Sequence, residues 1–131
     1  MNTRTLLIFV AISGAVAVGL GAFGAHALKD FLLQNQKATT YQTAVSYHFY
    51  HTLALFCIGL AQHIFDNKLI QRAGLFIGIG LLIFSGSLYT LCFTNLGVLG
   101  AIAPIGGVFL ILGWLQLAYA FYQFRLDSNH S

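Results

Sequence analysis

The sequence has no glutamate, three aspartates and six Lys or Arg residues, so 7% of its 131 positions are charged. Soluble domains carry roughly a quarter. This scarcity excludes an ordinary water-exposed globule, and a hydrophobic content of 58% predicts a single membrane-embedded domain over residues 1–131. A pI of about 9.1 invites a nucleic-acid reading, yet Arg4, Lys29, Lys37, Lys68, Arg72 and Arg125 stand singly and make no patch, so no nucleic-acid partner is expected. Cysteine is scarce too. Cys57 and Cys92 lie in apolar runs, with no CxxC and no neighbour at metal-binding spacing. They are expected to be buried free thiols at opposite membrane depths, too far apart for a disulfide. Asp30, Asp66 and Asp127 all fall in connections or the tail. A pair such as Ser85 and His48 therefore has no buried carboxylate to orient its imidazole, which counts against a hydrolase.

What the chain does have is apolar sequence in runs long enough to cross a bilayer, at about residues 6–28, 43–65, 73–93 and 98–122. The predicted fold is all-α, an integral membrane four-helix bundle. The first run has a basic start and Ala25-His26-Ala27 near its end, as a cleavable leader would, but it is too long for a leader's apolar core and is expected to stay as a span. Inside it, Gly19-x-Gly21-x-x-Gly24 spells a dinucleotide fingerprint. No strand precedes it, so it reads as helix packing and no cofactor is implied. Gly14, Ala17, Gly21 and Gly24 share one face, where backbones approach closely, so this helix is expected to be the central one. Lys29 to Thr40 is polar enough to leave the bilayer, with at most an interfacial helical turn around Phe31-Leu32-Leu33.

The second run carries most of the polar groups. At 100° per residue Tyr41, His48, His51, Thr52, Gly59, Gln62 and His63 cluster about one direction, a face expected to meet protein rather than lipid. Gln62 and His63, at the far end, are expected to cap the helix or face water. Tyr41, Tyr47 and Tyr50 suit an interfacial belt. In the third run Gly74-x-x-x-Gly78 is a packing face, with Ser85 and Tyr89 one turn apart on it. Ser87 points elsewhere and is expected to bond back to its own backbone. The fourth run is interrupted by Pro104 and Gly106-Gly107. Its helix is expected to be broken or to start at Pro104, with residues 96–103 a bent or re-entrant approach, a mid-helix kink being the competing version. Trp114, well inside this span, requires a buried acceptor for its indole N–H.

Orientation follows from Arg4, Lys68, Arg72 and Arg125 on one side against Lys29 and Lys37 on the other, which places both termini in the cytoplasm. Alternating spans then bring His26, Tyr41, His48, His51, Ser85, Tyr89 and the Pro104 turn to one level in the outer half. Three readings of this polar pocket compete. Its members bond across helices and specify packing, at about 1 kcal/mol or less per bond. Or His26, His48 and His51 ligate a metal or haem, although they are too few to close a site, so no metal is assigned. Or the cluster lines a pocket or path for lipid, a small molecule or protons.

The blocks Gly21-Ala22-Phe23-Gly24-Ala25-His26-Ala27-Leu28, Tyr41-Gln42-Thr43-Ala44-Val45 with Tyr47-His48 and His51, Phe84-Ser85-Gly86-Ser87-Leu88-Tyr89, Pro104-Ile105-Gly106-Gly107 and Gly113-Trp114 resemble the small membrane proteins of the domain of unknown function 423 family. The resemblance covers nearly the whole chain. Two positions depart from it: Ala103 stands where family members are expected to carry Thr, a hydroxyl that would cap the fourth helix, and Thr52 where they carry Ala. The resemblance implies a four-span protein of the bacterial cytoplasmic membrane, with mitochondrial relatives in eukaryotes, and brings no activity with it. The leading expectation is a non-enzymatic structural or accessory bundle in membrane lipid. Its glycine faces suggest a homo-oligomer or a membrane-protein partner. The alternative is a ligand-binding or transport protein using the histidines.

Overall fold

A computed structural model describes residues 2–94 and 96–128 of the chain. They form five helices in the order α1 (Thr3–Ala25), α2 (Lys29–Gln34), α3 (Ala38–Ile64), α4 (Lys68–Thr94) and α5 (Val98–Ser128). α1, α3, α4 and α5 up to Gln123 are each long and apolar enough to cross a membrane. All begin earlier than, or as early as, the hydropathy alone predicts, because polar residues supply the first turns. Asn2 Oδ1 accepts the Arg4 N–H at 2.8 Å, and Asn67 Oδ1 accepts the Leu69 N–H at 2.7 Å, so Lys68 to Arg72 is helix and not connection. α3 starts at Ala38 and takes in Tyr41 as an interior residue. The short α2 ends in a Schellman turn: Gln36, in the left-handed region at φ 54°, donates to Leu33 O at 3.1 Å while Lys37 donates to Leu32 O at 2.8 Å.

The spans pack in the sequence α1 on α3, α3 on α4 and α4 on α5. This corrects the expectation that α1 is central. The apolar window of α4 is 44% buried and that of α1 only 22%, because the small-residue face of α1 meets α3 alone. A Cβ on Gly14 would touch Thr52 at 3.7 Å and one on Gly21 would touch Val45 at 3.5 Å, while Gly24 lies under the Tyr41 ring. These contacts fix the antiparallel register of α1 and α3. Beyond them Leu6, Val10, Leu55, Ile58, Ile70 and Ile77 form an apolar plug toward the other end of the helices.

Pro104 neither breaks nor starts the fourth spanning helix. α5 runs unbroken from Val98 through Pro104, its seventh residue, so residues 98–103 are helix. Pro104 forfeits one helical bond, to the Gly100 carbonyl, and lies on the exposed side, whereas Ala103 and Gly106 beside it are buried against α4. Ala103 is therefore a seam residue, not a cap position. The seam continues as Gly106, Leu110, Gly113, Leu117 and Ala120, steps of three and four that keep one stripe on the partner helix. The helix also runs through Arg125 to Ser128, the start of the expected polar tail, whose last residues, 129–131, lie outside the described residues, as do Met1 and Asn95. Cys92 is buried but Cys57 is exposed, on the outer face of α3, and both are free.

A polar chain across three helices

The residues of α3 that converge on its neighbours do so between the helix midpoints and the ends nearest α2, with Ser13 at the middle of α1, His48 just short of the middle of α3 and Tyr89 well past the middle of α4. His48 Nε2 lies 3.0 Å from Ser13 Oγ of α1, Ser13 Oγ lies 2.7 Å from Thr52 Oγ1, and His48 Nδ1 lies 3.3 Å from the Tyr89 hydroxyl of α4. One imidazole thus connects side chains from three helices. The chain has two proton arrangements. With hydrogen on Nε2, His48 donates to Ser13, Ser13 donates to Thr52, and Tyr89 donates to Nδ1. With hydrogen on Nδ1 every bond reverses, and the Tyr89 O–H becomes free to donate elsewhere. Above the chain Tyr41 donates to Leu20 O at 2.7 Å and packs edge-on to Tyr89, 5.4 Å between ring centres, continuing to Phe93 and the α2 residue Phe31. Tyr41 is therefore a buried pillar and not an interfacial ring.

His51 belongs elsewhere. Three residues on from His48, it is rotated about 60° around the helix. Its Nδ1–H donates to Tyr47 O at 2.8 Å; a carbonyl only accepts, so this fixes the tautomer. The ring stacks on Tyr47 and meets Trp114 of α5 edge-on at 6.4 Å, with Tyr47 stacked in turn on Phe84. Trp114 is 48% exposed, so it faces outward more than the expected buried indole would. His26 is exposed at the end of α1. In the register set by Gly24 and Tyr41 it stands about 13 Å along the axis from His48. The three histidines thus do not meet, and no group of three His, Cys, Asp or Glu suited to a metal ion occurs among the described residues.

Ser85 lies beside the chain, one turn before Tyr89, and lines with it and His48 a cleft of about 160 Å³ between α1 and α4. It is 3% exposed and its Oγ has no hydrogen-bond partner among the described residues. Ser87 bonds back to Phe84 O at 3.0 Å, as its direction predicts. Gly74 is packed against Ile58 and Gln62, while a Cβ at Gly78 would meet nothing within 4 Å. Sequence reasoning missed Ser13. The available signal was its spacing, one turn before Ala17 on the face that continues to Gly21 and Gly24.

Gln62 departs furthest from expectation. It is 7% exposed, and neither amide atom finds a partner among the described residues, whereas His63 next to it is exposed. Replacing Gln62 by methionine, of similar length and without polar atoms needing partners, is expected to stabilise the protein by about 1 kcal/mol in a detergent melt. A lower melting temperature would mean that the amide is satisfied after all.

A family model described as "Protein of unknown function (DUF423)" matches residues 20–107. The chain is 41% identical over 121 residues to a UPF0382 membrane protein of Staphylococcus epidermidis, covering 92% of this chain and 98% of the relative. It is 40% identical over 118 residues to the Bacillus subtilis UPF0382 membrane protein YwdK, covering 89% and 95%. It is 37% identical over 131 residues to the Escherichia coli UPF0382 inner membrane protein YgdD, covering 99% of each chain. No solved structure matches.

Proposed function

The chain belongs to the DUF423 family of membrane proteins of unknown function, and we propose that it is a multi-pass inner-membrane protein acting as a non-enzymatic structural or accessory bundle. The observation that carries this reading is the Ser13–His48–Tyr89 connection. Its groups are spent on one another across three helices, which is how polar side chains specify packing in a medium that offers them no water. In this reading both termini are cytoplasmic, from the distribution of Lys and Arg. Gly14, Gly21 and Gly24 of α1 and Gly74 of α4 already pack against α3, so a second copy or another membrane protein would meet the outer faces of α1 and α5, with membrane lipid covering the rest.

Two measurements test it. Single cysteines at Asn2→Cys and Gln36→Cys, probed in intact cells with a membrane-impermeant maleimide, should label at position 36 directly and at position 2 only after permeabilisation. The reverse pattern inverts the topology. Protein purified from membranes should show neither a Soret band nor stoichiometric metal; either one would replace the structural reading with a cofactor site.

A further inference from the structure

We propose that the cleft between α1 and α4 binds an apolar molecule dissolved in the bilayer, gripping its carbonyl oxygen with the hydroxyls of Ser85 and Tyr89. Nothing in the interhelical chain uses Ser85, so this goes beyond the structural role. A buried hydroxyl in an apolar setting costs free energy unless it is bonded, and Ser85 does not even bond back to its own helix. Tyr89, one turn on, lines the same cleft, and in one of the two proton arrangements of the His48 chain its hydrogen is free. Residues four apart on a helix are neighbours, so one oxygen with two lone pairs can accept from both.

The rest of the cleft describes the molecule. Its other walls are aliphatic, Val16 and Leu20 from α1 and Leu81 and Leu82 from α4. The volume of about 160 Å³ is that of a six-membered ring, since cavities of about 150 Å³ admit benzene. Ser85 stands four residues past the midpoint of α4, or about 6 Å from mid-helix. That is inside the hydrocarbon and well below the headgroups, whose half-thickness limit is about 15 Å. The depth favours a carbonyl that travels in the bilayer interior, on a ring such as a quinone or on a free acyl ester, over the glycerol esters of a fixed lipid.

The test is a set of detergent melts of the full chain titrated with decylubiquinone (ring carbonyls), methyl oleate (an ester carbonyl) and decylbenzene (no carbonyl). A bound ligand raises the melting temperature with saturation. Decylubiquinone is expected to do so and decylbenzene is not. A saturable rise with methyl oleate alone would also support the carbonyl site and identify an acyl ester as its source. Ser85→Ala should raise the midpoint concentration about tenfold. Gly86→Leu should abolish the effect while leaving the unliganded melt near wild type, because a Cβ there would meet nothing within 4 Å. Equal shifts with decylbenzene, no shift with any compound, or an unchanged midpoint in Ser85→Ala would each overturn the proposal.

Discussion

Gly106→Ala is expected to destabilise the protein by about 3 kcal/mol, near the upper end of ordinary overpacking, and to unseat α5. The reason is backbone against backbone. A Cβ on Gly106 would stand 2.8 Å from the Phe84 Cα and closer still to the Phe84 nitrogen, and neither can rotate away as a side-chain tip would. The same holds across the whole seam, where a Cβ on Gly80 would fall 2.8 Å from the Leu110 nitrogen and one on Gly113 would fall 3.0 Å from the Ile77 nitrogen. Close approach of this kind is what holds helices together where lipid is as apolar as the side chains. Gly107 is the internal control. Its Cβ would meet only the Phe84 ring, at 3.8 Å, so Gly107→Ala should be neutral or stabilising by up to about 1 kcal/mol through helix propensity. Melting both variants in one detergent decides the matter: equal midpoints would mean that α4 and α5 are not packed at this distance.

The contrast between these two glycines also shows what the sequence could and could not disclose. Four apolar runs of spanning length were legible because the hydrocarbon sets both the length and the composition of what crosses it. The buried face of α3 was legible because period fixes direction around a helix, and Tyr41, His51, Thr52, Gly59 and Gln62 are all buried on it. Period does not say which neighbour lies in that direction. The glycine stripe of α1 announces a close approach, but one partner produces it as well as three, so α1 was misread as central. Residues Ala103, Gly106, Leu110 and Gly113 spell a small-residue seam with steps of three and four, yet Pro104 in their midst reads as a helix boundary until the exposed side on which it lies is known. The histidines failed for a related reason. A spacing of three suggests a shared site, whereas the 60° between His48 and His51 is enough to send one ring into the α1–α4 side and the other toward Trp114.

That divergence sets the second large effect, His48→Ala, expected to cost about 2 kcal/mol. Interhelical hydrogen bonds in membranes average about 0.6 kcal/mol, so the bonds to Ser13 and Tyr89 supply roughly half, and the lost ring packing against Tyr89 supplies the rest. His51→Ala should cost less, since its one hydrogen bond is local to α3 and joins no other helix. A melt alone does not separate a latch from mere bulk, but a double-mutant cycle does. In the cycle with Ser13→Ala, the pair is expected to couple by about 0.6 kcal/mol, up to about 1.7 kcal/mol if the chain acts as a unit. Strict additivity of the two substitutions would mean that Ser13 and His48 are neighbours without being bonded. The latch between α1 and α3 would then reduce to the contacts of Gly14, Gly21 and Gly24.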